Sequence, residues 1–362
     1  MFQAPFLRAN FVLHTRRDKW TLQNIVPIAA REIPVEHVDF VVEAARDFFS
    51  GRRHIIKKKS RFRYDLAILH NPEEESPPSC PRALKKFTRA AELAGFAPEF
   101  IGKGDYGRLA EFDALFIRET TRVNHHTYRF ARRAAAKGLV TIDDPQSILK
   151  CTNKVFLAEL MQQNKIPTPR TLIFDRENSS EVLEKLELPC ILKQPDSSFS
   201  QGVVKAETAG ELGEWTEKLF EKSDMIIAQE FLPTSFDWRV GIFNRQPLFV
   251  CKYFMAKKHW QIIKRDSLGR ITADGAAESV PVEFAPNKLI KLALKAARLI
   301  GDGLYGVDIK EVNGKFVVIE INDNPNIDVG VEDGILKDEL YLRIMRAMMS
   351  RVEQHKNPGI YG

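Results

Sequence analysis

The stretch KFVVIEINDNPNIDVG, residues 315–330, places a single carboxylate inside an apolar run. Five of the six residues from 316 to 321 are apolar, as in a buried strand, and Glu320 is the exception. A buried carboxylate is costly unless something compensates its charge. Glu320 therefore either meets a positively charged partner at the end of this strand or points to solvent from a sheet edge.

The overall composition limits the classes of protein to which the chain can belong. With 362 residues, 44% of them hydrophobic and 28% charged, it is long enough for two or three globular domains. The four cysteines lie far apart without a CxxC pair, so they predict neither a disulfide framework nor a zinc site, and a reducing cytoplasm fits. The N-terminus lacks a signal-peptide core, and no uninterrupted apolar run reaches about 18 residues. We expect a cytoplasmic protein that does not span a membrane.

The net charge of +6 has a local origin. Residues 52–63, RRHIIKKKSRFR, contain seven Lys or Arg and no acid, so the rest of the chain carries a net charge of −1. A solvated surface or linker explains this run, and a patch for an acidic partner is the alternative. Because no nucleic-acid-binding motif accompanies it, nucleic acid is not an expected partner.

The first 145 residues show an α/β rhythm. No GxGxxG follows the first strand of this rhythm and no GxxxxGK[ST] occurs anywhere, so neither a dinucleotide fingerprint nor a P-loop is present, and any nucleotide would have to be held in another way. Apolar spacing predicts an amphipathic helix over 34–49, then a strand at 64–70, a helix at 83–96, a strand at 112–119, a helix at 126–138 and a strand at 139–143. We interpret the segment from 64 to 145 as a βαβ-type domain.

The second half contains five elements in a distinctive order. Thr152 is predicted to cap a helix that carries Lys154. A strand ending at Lys193 precedes the Ser- and Gly-containing loop DSSFSQGV, and a helix is predicted near 209–222. The strands MIIAQE and FDWRVGIFNRQPLFVCKYF follow, and a hairpin that carries Asp308, Glu320 and Asn322 closes the series.

These elements resemble the ATP-grasp superfamily, and most closely its RimK-like carboxylate–amine ligases, from about residue 143 to 349. The resemblance implies an α/β chain with an ATP-grasp fold, in which two α+β subdomains clamp ATP behind a βαβ-type N-terminal domain. We therefore expect an N-terminal extension (1–63), a βαβ-type domain (64–145), a central subdomain (146–225), a C-terminal subdomain (226–350) and a tail (351–362).

The resemblance also assigns roles to single residues. Asp308, Glu320 and Asn322 match the metal ligands, with Mg²⁺ expected and Mn²⁺ as an alternative, and Glu320 and Asn322 share one face of a strand because they are two apart. Arg239 matches a catalytic arginine that faces the transferring phosphoryl or the acceptor carboxylate, and Lys252 matches another basic group near the phosphates. The residues that match ATP-binding positions are Lys154, Lys193, Ser198, Ser200, Gly202, Gln229, Glu230, Phe231, Leu232 and Asp237.

The implied reaction transfers the γ-phosphoryl of ATP to a carboxylate, after which an amine displaces phosphate from the acylphosphate to form an amide. No nucleophilic side chain is required, so the histidines and cysteines are interpreted as structural or surface residues. The acceptor carboxylate can be a small molecule or a protein tail, and glutamate is one candidate amine. A kinase acting on a hydroxyl and a non-catalytic nucleotide-binding protein are the alternatives, and a homo-oligomer is left open.

The hairpin register decides whether the metal site can exist. A two-residue loop at Asn313-Gly314 would put Asp308 opposite Ile319, which sends the Asp308 and Glu320 side chains to opposite faces. A three-residue loop, or an equivalent bulge, would put Asp308 opposite Glu320. Since a shared metal requires one face, we predict the longer loop or the equivalent bulge.

Overall fold

The computed structural model describes residues 7–14, 19–49, 62–195, 202–257, 259–265 and 271–357. The chain divides into two units, Met1–Ser60 and Arg61–Gly362. In the first unit, strands β1 (Leu7–His14) and β2 (Lys19–Pro27) pair antiparallel, and helix α1 spans Val38–Phe49. The helix predicted over 34–49 is confirmed from Val38 onwards, after a short 3-10 turn at Val35–His37, while most of the basic run at 52–63 lies outside the described residues.

The second unit begins with a four-stranded parallel sheet and two helices. Its elements are β3 (Tyr64–Leu69), α2 (Pro81–Ala94), β4 (Phe96–Ile101), β5 (Ala114–Ile117), α3 (His126–Ala136) and β6 (Val140–Ile142), with strand order β4-β3-β5-β6. The four residues of β3 from Leu66 to Leu69 are fully buried, as expected when helices cover both faces of a parallel sheet. Strand β4 was not predicted because Pro98 and Glu99 interrupt its apolar pattern, and proline is tolerated there because β4 is an edge strand.

An antiparallel sheet and its helices follow. The elements are α4 (Pro145–Thr152), α5 (Lys154–Gln163), β7 (Thr171–Phe174), α6 (Glu181–Lys185), β8 (Cys190–Lys193), β9 (Val203–Ala206), α7 (Ala209–Phe220) and β10 (Ile226–Glu230), with strand order β7-β10-β8-β9. The predicted cap was wrong: Thr152 ends α4 and its hydroxyl donates to the Ile148 carbonyl. Asn153 caps α5 instead, because its backbone is extended and its side-chain oxygen accepts from the Phe156 N–H at 3.0 Å.

A five-stranded antiparallel sheet forms the last layer. The elements are β11 (Phe236–Phe243), β12 (Gln246–Phe254), β13 (Ile263–Arg265), β14 (Ile271–Asp274), β15 (Ala277–Val280), α8 (Asn287–Ile300), β16 (Leu304–Val312), β17 (Lys315–Asp323) and α9 (Asp338–Lys356). The sheet has the order β15-β12-β11-β16-β17, and β13 and β14 form a separate hairpin. On one face, Trp238, Val240 and Val307 pack in an apolar core with residues of α8. Among the described residues, no helix combines the length and apolar character needed to cross a membrane.

The β16–β17 hairpin combines a short loop with a register shift. Asn313 and Gly314 both have positive φ, 51° and 72°, as a two-residue type I′ turn requires, and Val312 pairs with Lys315. The predicted three-residue loop is therefore wrong. The equivalent bulge is confirmed, because the register shifts at Ile319 and sets Asp308 directly opposite Glu320.

Candidate active site

A row of charged side chains crosses three adjacent strands of the five-stranded sheet. Arg239 on β11 pairs with Asp308 on β16, which in turn pairs with Glu320 on β17, so all three share one face. The Arg239 guanidinium donates through Nε and Nη2 to the two Asp308 oxygens at 2.6 and 2.7 Å. Asn322 Nδ2 donates to Asp308 Oδ2 at 3.1 Å and to Glu320 Oε1 at 3.3 Å. The three predicted metal ligands therefore lie together.

Cations surround Glu320 and explain how its charge is tolerated inside the fold. Burial by itself raises the pKa of Glu320, but Lys154, Lys193 and Arg239 outweigh it and leave the pKa below its ordinary value. Lys193 is 9% exposed, and its Nζ donates to Gln229 Oε1 at 2.7 Å. Burial lowers the pKa of Lys193 to about 8, although Glu320 acts in the opposite direction. Both sequence-predicted lysines therefore lie near the carboxylate.

A cavity lined by both polar and apolar side chains opens beside this cluster. Its polar wall includes Lys154, Lys193 and Glu320, whereas Leu157, Met161 and Ile227 give the remaining wall an apolar character. A cationic end beside an apolar slot suits a molecule with a phosphate chain at one end and a flat base at the other. The complete lining is Lys154, Leu157, Ala158, Met161, Thr168, Thr171, Lys193, Ile227, Gln229, Val318, Ile319, Glu320 and Ile321.

Two further groups beside Arg239 were missed by the sequence analysis. Lys310 donates to Asp237 Oδ1 at 2.5 Å, and Thr234 also donates to that oxygen at 2.9 Å. The spacing could have identified Lys310, because it lies two residues beyond Asp308 on the same strand and so shares its face. Tyr253 carries no such signal; its ring centre lies 5.0 Å from the Arg239 guanidinium, and its hydroxyl bonds to Glu332.

Two predicted residues point away from the cluster. Lys252 is paired with Trp238, on the face opposite Arg239, and its Nζ lies 5.4 Å from the centres of the Phe236 and Trp238 rings. Glu230 forms an ion pair with Arg170 at 3.4 Å, and it alternates with Gln229, whose side chain lines the cavity. Their predicted roles find no support in this geometry and stay predictions.

The remaining predicted ATP-binding residues follow β10, border the Ser-rich loop or lie outside the described residues. Phe231 and Leu232 directly follow β10, and the Phe231 ring centre lies 5.1 Å from Lys205 Nζ. Gly202 has a φ of +67°, and a Cβ there would lie 2.5 Å from Gln194 Oε1, so glycine is needed at the end of the Ser-rich loop. Ser198 and Ser200 lie outside the described residues.

Comparisons with known proteins agree with this architecture. Residues 151–338 match the RimK-like ATP-grasp domain. The α-aminoadipate–LysW ligase LysX of Saccharolobus solfataricus is 28% identical over 196 residues, which cover 52% of this chain and 67% of that protein. The coenzyme γ-F420-2:α-L-glutamate ligase of Methanocaldococcus jannaschii is 25% identical over 237 residues, covering 64% of this chain and 75% of that protein.

Solved structures show the same fold at low sequence identity. The D-alanine–D-alanine ligase of Bacillus anthracis complexed with ATP superposes with a TM-score of 0.61 at 16% identity, covering 82% of this chain and 99% of that one. A RimK domain ATP-grasp protein of Sphaerobacter thermophilus gives a TM-score of 0.59 at 16% identity, with 79% and 98% coverage. The matched domain spans more than half of the sequence and contains the whole charged row. The chain therefore belongs to the RimK-like ATP-grasp family of ATP-dependent carboxylate–amine ligases.

Proposed function

We propose that the chain binds Mg-ATP in this cavity and uses it to join a carboxylate to an amine through an acylphosphate. The observation that carries the proposal is that Asp308, Asn322 and Arg239 meet Glu320, which together with Lys193 lines the cationic end of the cavity. A cluster in which anionic ligands and cationic groups alternate can hold a metal–triphosphate complex, whose own charges also alternate.

The donor set fits a hard divalent cation. Asp308 and Glu320 offer carboxylate oxygens, and Asn322 offers an amide oxygen, because its Nδ2 already donates to both carboxylates. Oxygen ligands of this kind suit Mg²⁺, or Mn²⁺, over metals that prefer nitrogen and sulfur. When bound, the ion would screen the phosphate charge during transfer.

The chain's own residues would position and neutralise the reactants. Lys154 and Lys193 would hold phosphate oxygens as point charges, and the Arg239 fork would pair two oxygens of the transferring phosphoryl or of the acceptor carboxylate. The carboxylate oxygen attacks the γ-phosphorus and ADP leaves; the amine nitrogen then attacks the acyl carbon, phosphate leaves, and the nitrogen loses a proton. Such a sequence needs positioning and charge stabilisation from the protein rather than a nucleophilic side chain.

We further propose an amino acid as one of the two substrates, with glutamate as the leading candidate. The names of the related ligases concern α-aminoadipate and glutamate, which are both acidic amino acids. The acceptor is a small molecule or a protein tail carrying a free carboxylate. A kinase or a non-catalytic nucleotide binder gains no support, since three of the four compared proteins are named as ligases and the three metal-ligand candidates are present together.

The test combines binding with turnover. Mg-ATP at a hundredfold excess over its dissociation constant should add about 2.7 kcal/mol to the free energy of unfolding and raise the melting temperature, while ADP without magnesium should do less. The protein is then incubated with Mg-ATP, an amino-acid panel and cell extract, and phosphate release and new amide masses are followed. Identical melting curves with and without millimolar Mg-ATP would refute the binding site, and phosphate release that needs no amine would refute the ligase reaction.

A further inference from the structure

A second group of polar side chains lies in the parallel sheet domain, at the end of β5. The chain leaves β5 at Ile117, and the connection to α3 carries Glu119 and His125, while His126 is the first residue of α3. Glu119 Oε1 lies 2.8 Å from His126 Nε2 and 4.0 Å from His125 Nε2. One potential ligand atom from each of the three residues lies within 4.8 Å of the other two.

The carboxylate of Glu119 is buried and only partly satisfied. Its residue is 2% exposed, and within the described part of the chain its Oε2 has no hydrogen-bond partner. His126 Nε2 is also buried, and its approach to Glu119 is not aligned as a hydrogen bond. Leaving such groups unpaired costs about 1–3 kcal/mol each, more for a charged one, so an arrangement of this kind calls for a partner. The local backbone is held in place, since Asn324 Nδ2 donates to the Glu119 carbonyl at 2.7 Å.

Hydrogen bonds to Thr127 fix which nitrogen of His125 is available. The Thr127 hydroxyl donates its only proton to the Thr120 carbonyl at 3.3 Å, so its oxygen accepts from His125 Nδ1, which lies 3.1 Å away. With the proton on Nδ1, the lone pair of His125 is on Nε2, which lies on the Glu119 side. A histidine whose second nitrogen donates to a fixed acceptor is the usual arrangement of a metal ligand. Burial lowers the pKa of both histidines, and it raises the pKa of Glu119 to about 7.

We propose that Glu119, His125 and His126 form a binding site for a divalent transition-metal ion, with zinc preferred. Two imidazoles and one carboxylate form a donor set that zinc uses in sites with three protein ligands, and such sites keep a coordination position for an external ligand. Nitrogen donors distinguish this set from the oxygen-only donors of Asp308, Glu320 and Asn322, so the two sites should select different metals. The inference stands independently of the proposed ligase reaction.

Two neighbouring cationic side chains would weaken the binding of a metal ion at this site. Lys103 and Arg129 lie close enough to lower the pKa of His126 further, and their charge would oppose an incoming cation. The competing explanation is a plain carboxylate–imidazole contact without a metal. A metal site predicts that the protein binds zinc stoichiometrically, whereas a carboxylate–imidazole contact alone does not.

The experiment is a titration of the whole untagged chain with zinc. Isothermal titration calorimetry measures the binding, and excess Mg²⁺ is present throughout. We expect one zinc per chain in the wild type and none at this site in the His125→Gln/His126→Gln double variant. Glu320→Gln, Cys80→Ser and the exposed His37→Gln should each retain the wild-type stoichiometry, which excludes the Mg²⁺ site, a thiol and a solvent-exposed histidine as the zinc ligand. Circular dichroism and the Mg-ATP thermal shift of the double variant check its fold.

Thr127→Val provides a test that leaves all three ligands in place. Valine matches threonine in shape but cannot accept from His125, so we expect zinc affinity to fall by about 10–100-fold. Co²⁺ added to the wild type should give a visible absorption spectrum that zinc abolishes, and this measurement still decides if the double variant fails to fold. Absent zinc binding to the wild type, or equal zinc affinity in the wild type and a folded double variant, would overturn the proposal.

Discussion

Lys193→Met removes a buried ammonium group from the centre of the charged cluster. The Lys193 side chain reaches Gln229 by a hydrogen bond of 2.7 Å and is 9% exposed. Methionine keeps the length and most of the apolar stem but carries no charge. We expect the substitution to weaken Mg-ATP binding and to remove a pH-dependent contribution that Lys193 makes to the free energy of unfolding.

The size of the effect follows from the pKa of Lys193. Burial lowers it from 10.5 to about 8, and one pKa unit corresponds to about 1.4 kcal/mol, so keeping this lysine charged in the folded protein costs about 3 kcal/mol below pH 8. Because the folded-state pKa is depressed, the unfolded chain binds more protons between pH 8 and 10.5. The free energy of unfolding should therefore rise with pH across this window. From pH 7 to pH 9.5 the expected gain is about 2 kcal/mol.

The assay compares urea unfolding of the wild type and Lys193→Met at pH 7 and pH 9.5 in the absence of nucleotide. Because Lys193 is the group that the variant lacks, the stability difference, wild type minus variant, should shift by about 2 kcal/mol in favour of the wild type at the higher pH. Lys185→Met serves as the control, because that side chain is 54% exposed and its substitution should have the same effect at both pH values. A shift below about 0.5 kcal/mol for Lys193→Met would refute the reasoning that burial sets its proton affinity.

Three further substitutions test the charged row. Arg239→Lys should retain most ATP binding but lower turnover by about 100–1,000-fold, because an ammonium cannot reproduce the fork that pairs two oxygens; unchanged steady-state phosphate release would remove Arg239 from the reaction. Glu320→Gln should remain folded by circular dichroism but lose magnesium-dependent turnover. It should be less stable than the wild type because Lys154 and Lys193 lose their balancing charge. Wild-type turnover at saturating Mg²⁺ would exclude Glu320 as a metal ligand. Lys252→Met should leave turnover within about twofold of wild type, because Lys252 lies on the face opposite Arg239; a large loss of activity would restore its predicted catalytic role.

Much of the site could be predicted because its charged residues stand inside buried strands or end them. A carboxylate inside an apolar run, as at Glu320, and a lysine ending one, as at Lys193, conflict with their surroundings unless a ligand or a counter-charge is present. The period of two along a strand then placed Asn322 on the same face as Glu320. The requirement that Asp308 join them predicted a register shift, and the structure confirms it at Ile319.

What the sequence could not show depends on pairing between distant strands. The sheet face to which the Lys252 and Glu230 side chains point depends on the register in which their strands pair with neighbouring strands. A single sequence does not reveal that register. The position of the bulge was not predictable for the same reason. The turn residues Asn313 and Gly314 favour the short loop, so the extra residue lies within β17, at Ile319, rather than in the turn. The cluster of Glu119 with two histidines was missed because each residue alone is typical of a surface loop.

The Arg239–Asp308 ion pair couples the proposed binding of Mg²⁺ at Asp308 to the proposed binding of the ATP phosphates at Arg239. Both Asp308 oxygens accept from the guanidinium, and although burial raises the pKa of Asp308 to about 6, Arg239 acts to lower it, so each group keeps the other's charge in the interior. A metal ion that takes an Asp308 oxygen removes part of the partner that Arg239 needs, and a phosphate group offers the guanidinium an equivalent fork of oxygens. A buried charge left without its partner is strongly unfavourable. Binding of the metal alone leaves Arg239 without its partner, and binding of the phosphate alone leaves Asp308 without its partner. When both bind together, every charge stays paired. It follows that metal and nucleotide should bind cooperatively, each raising the affinity for the other by the same factor, and that this coupling resides in one ion pair across β11 and β16.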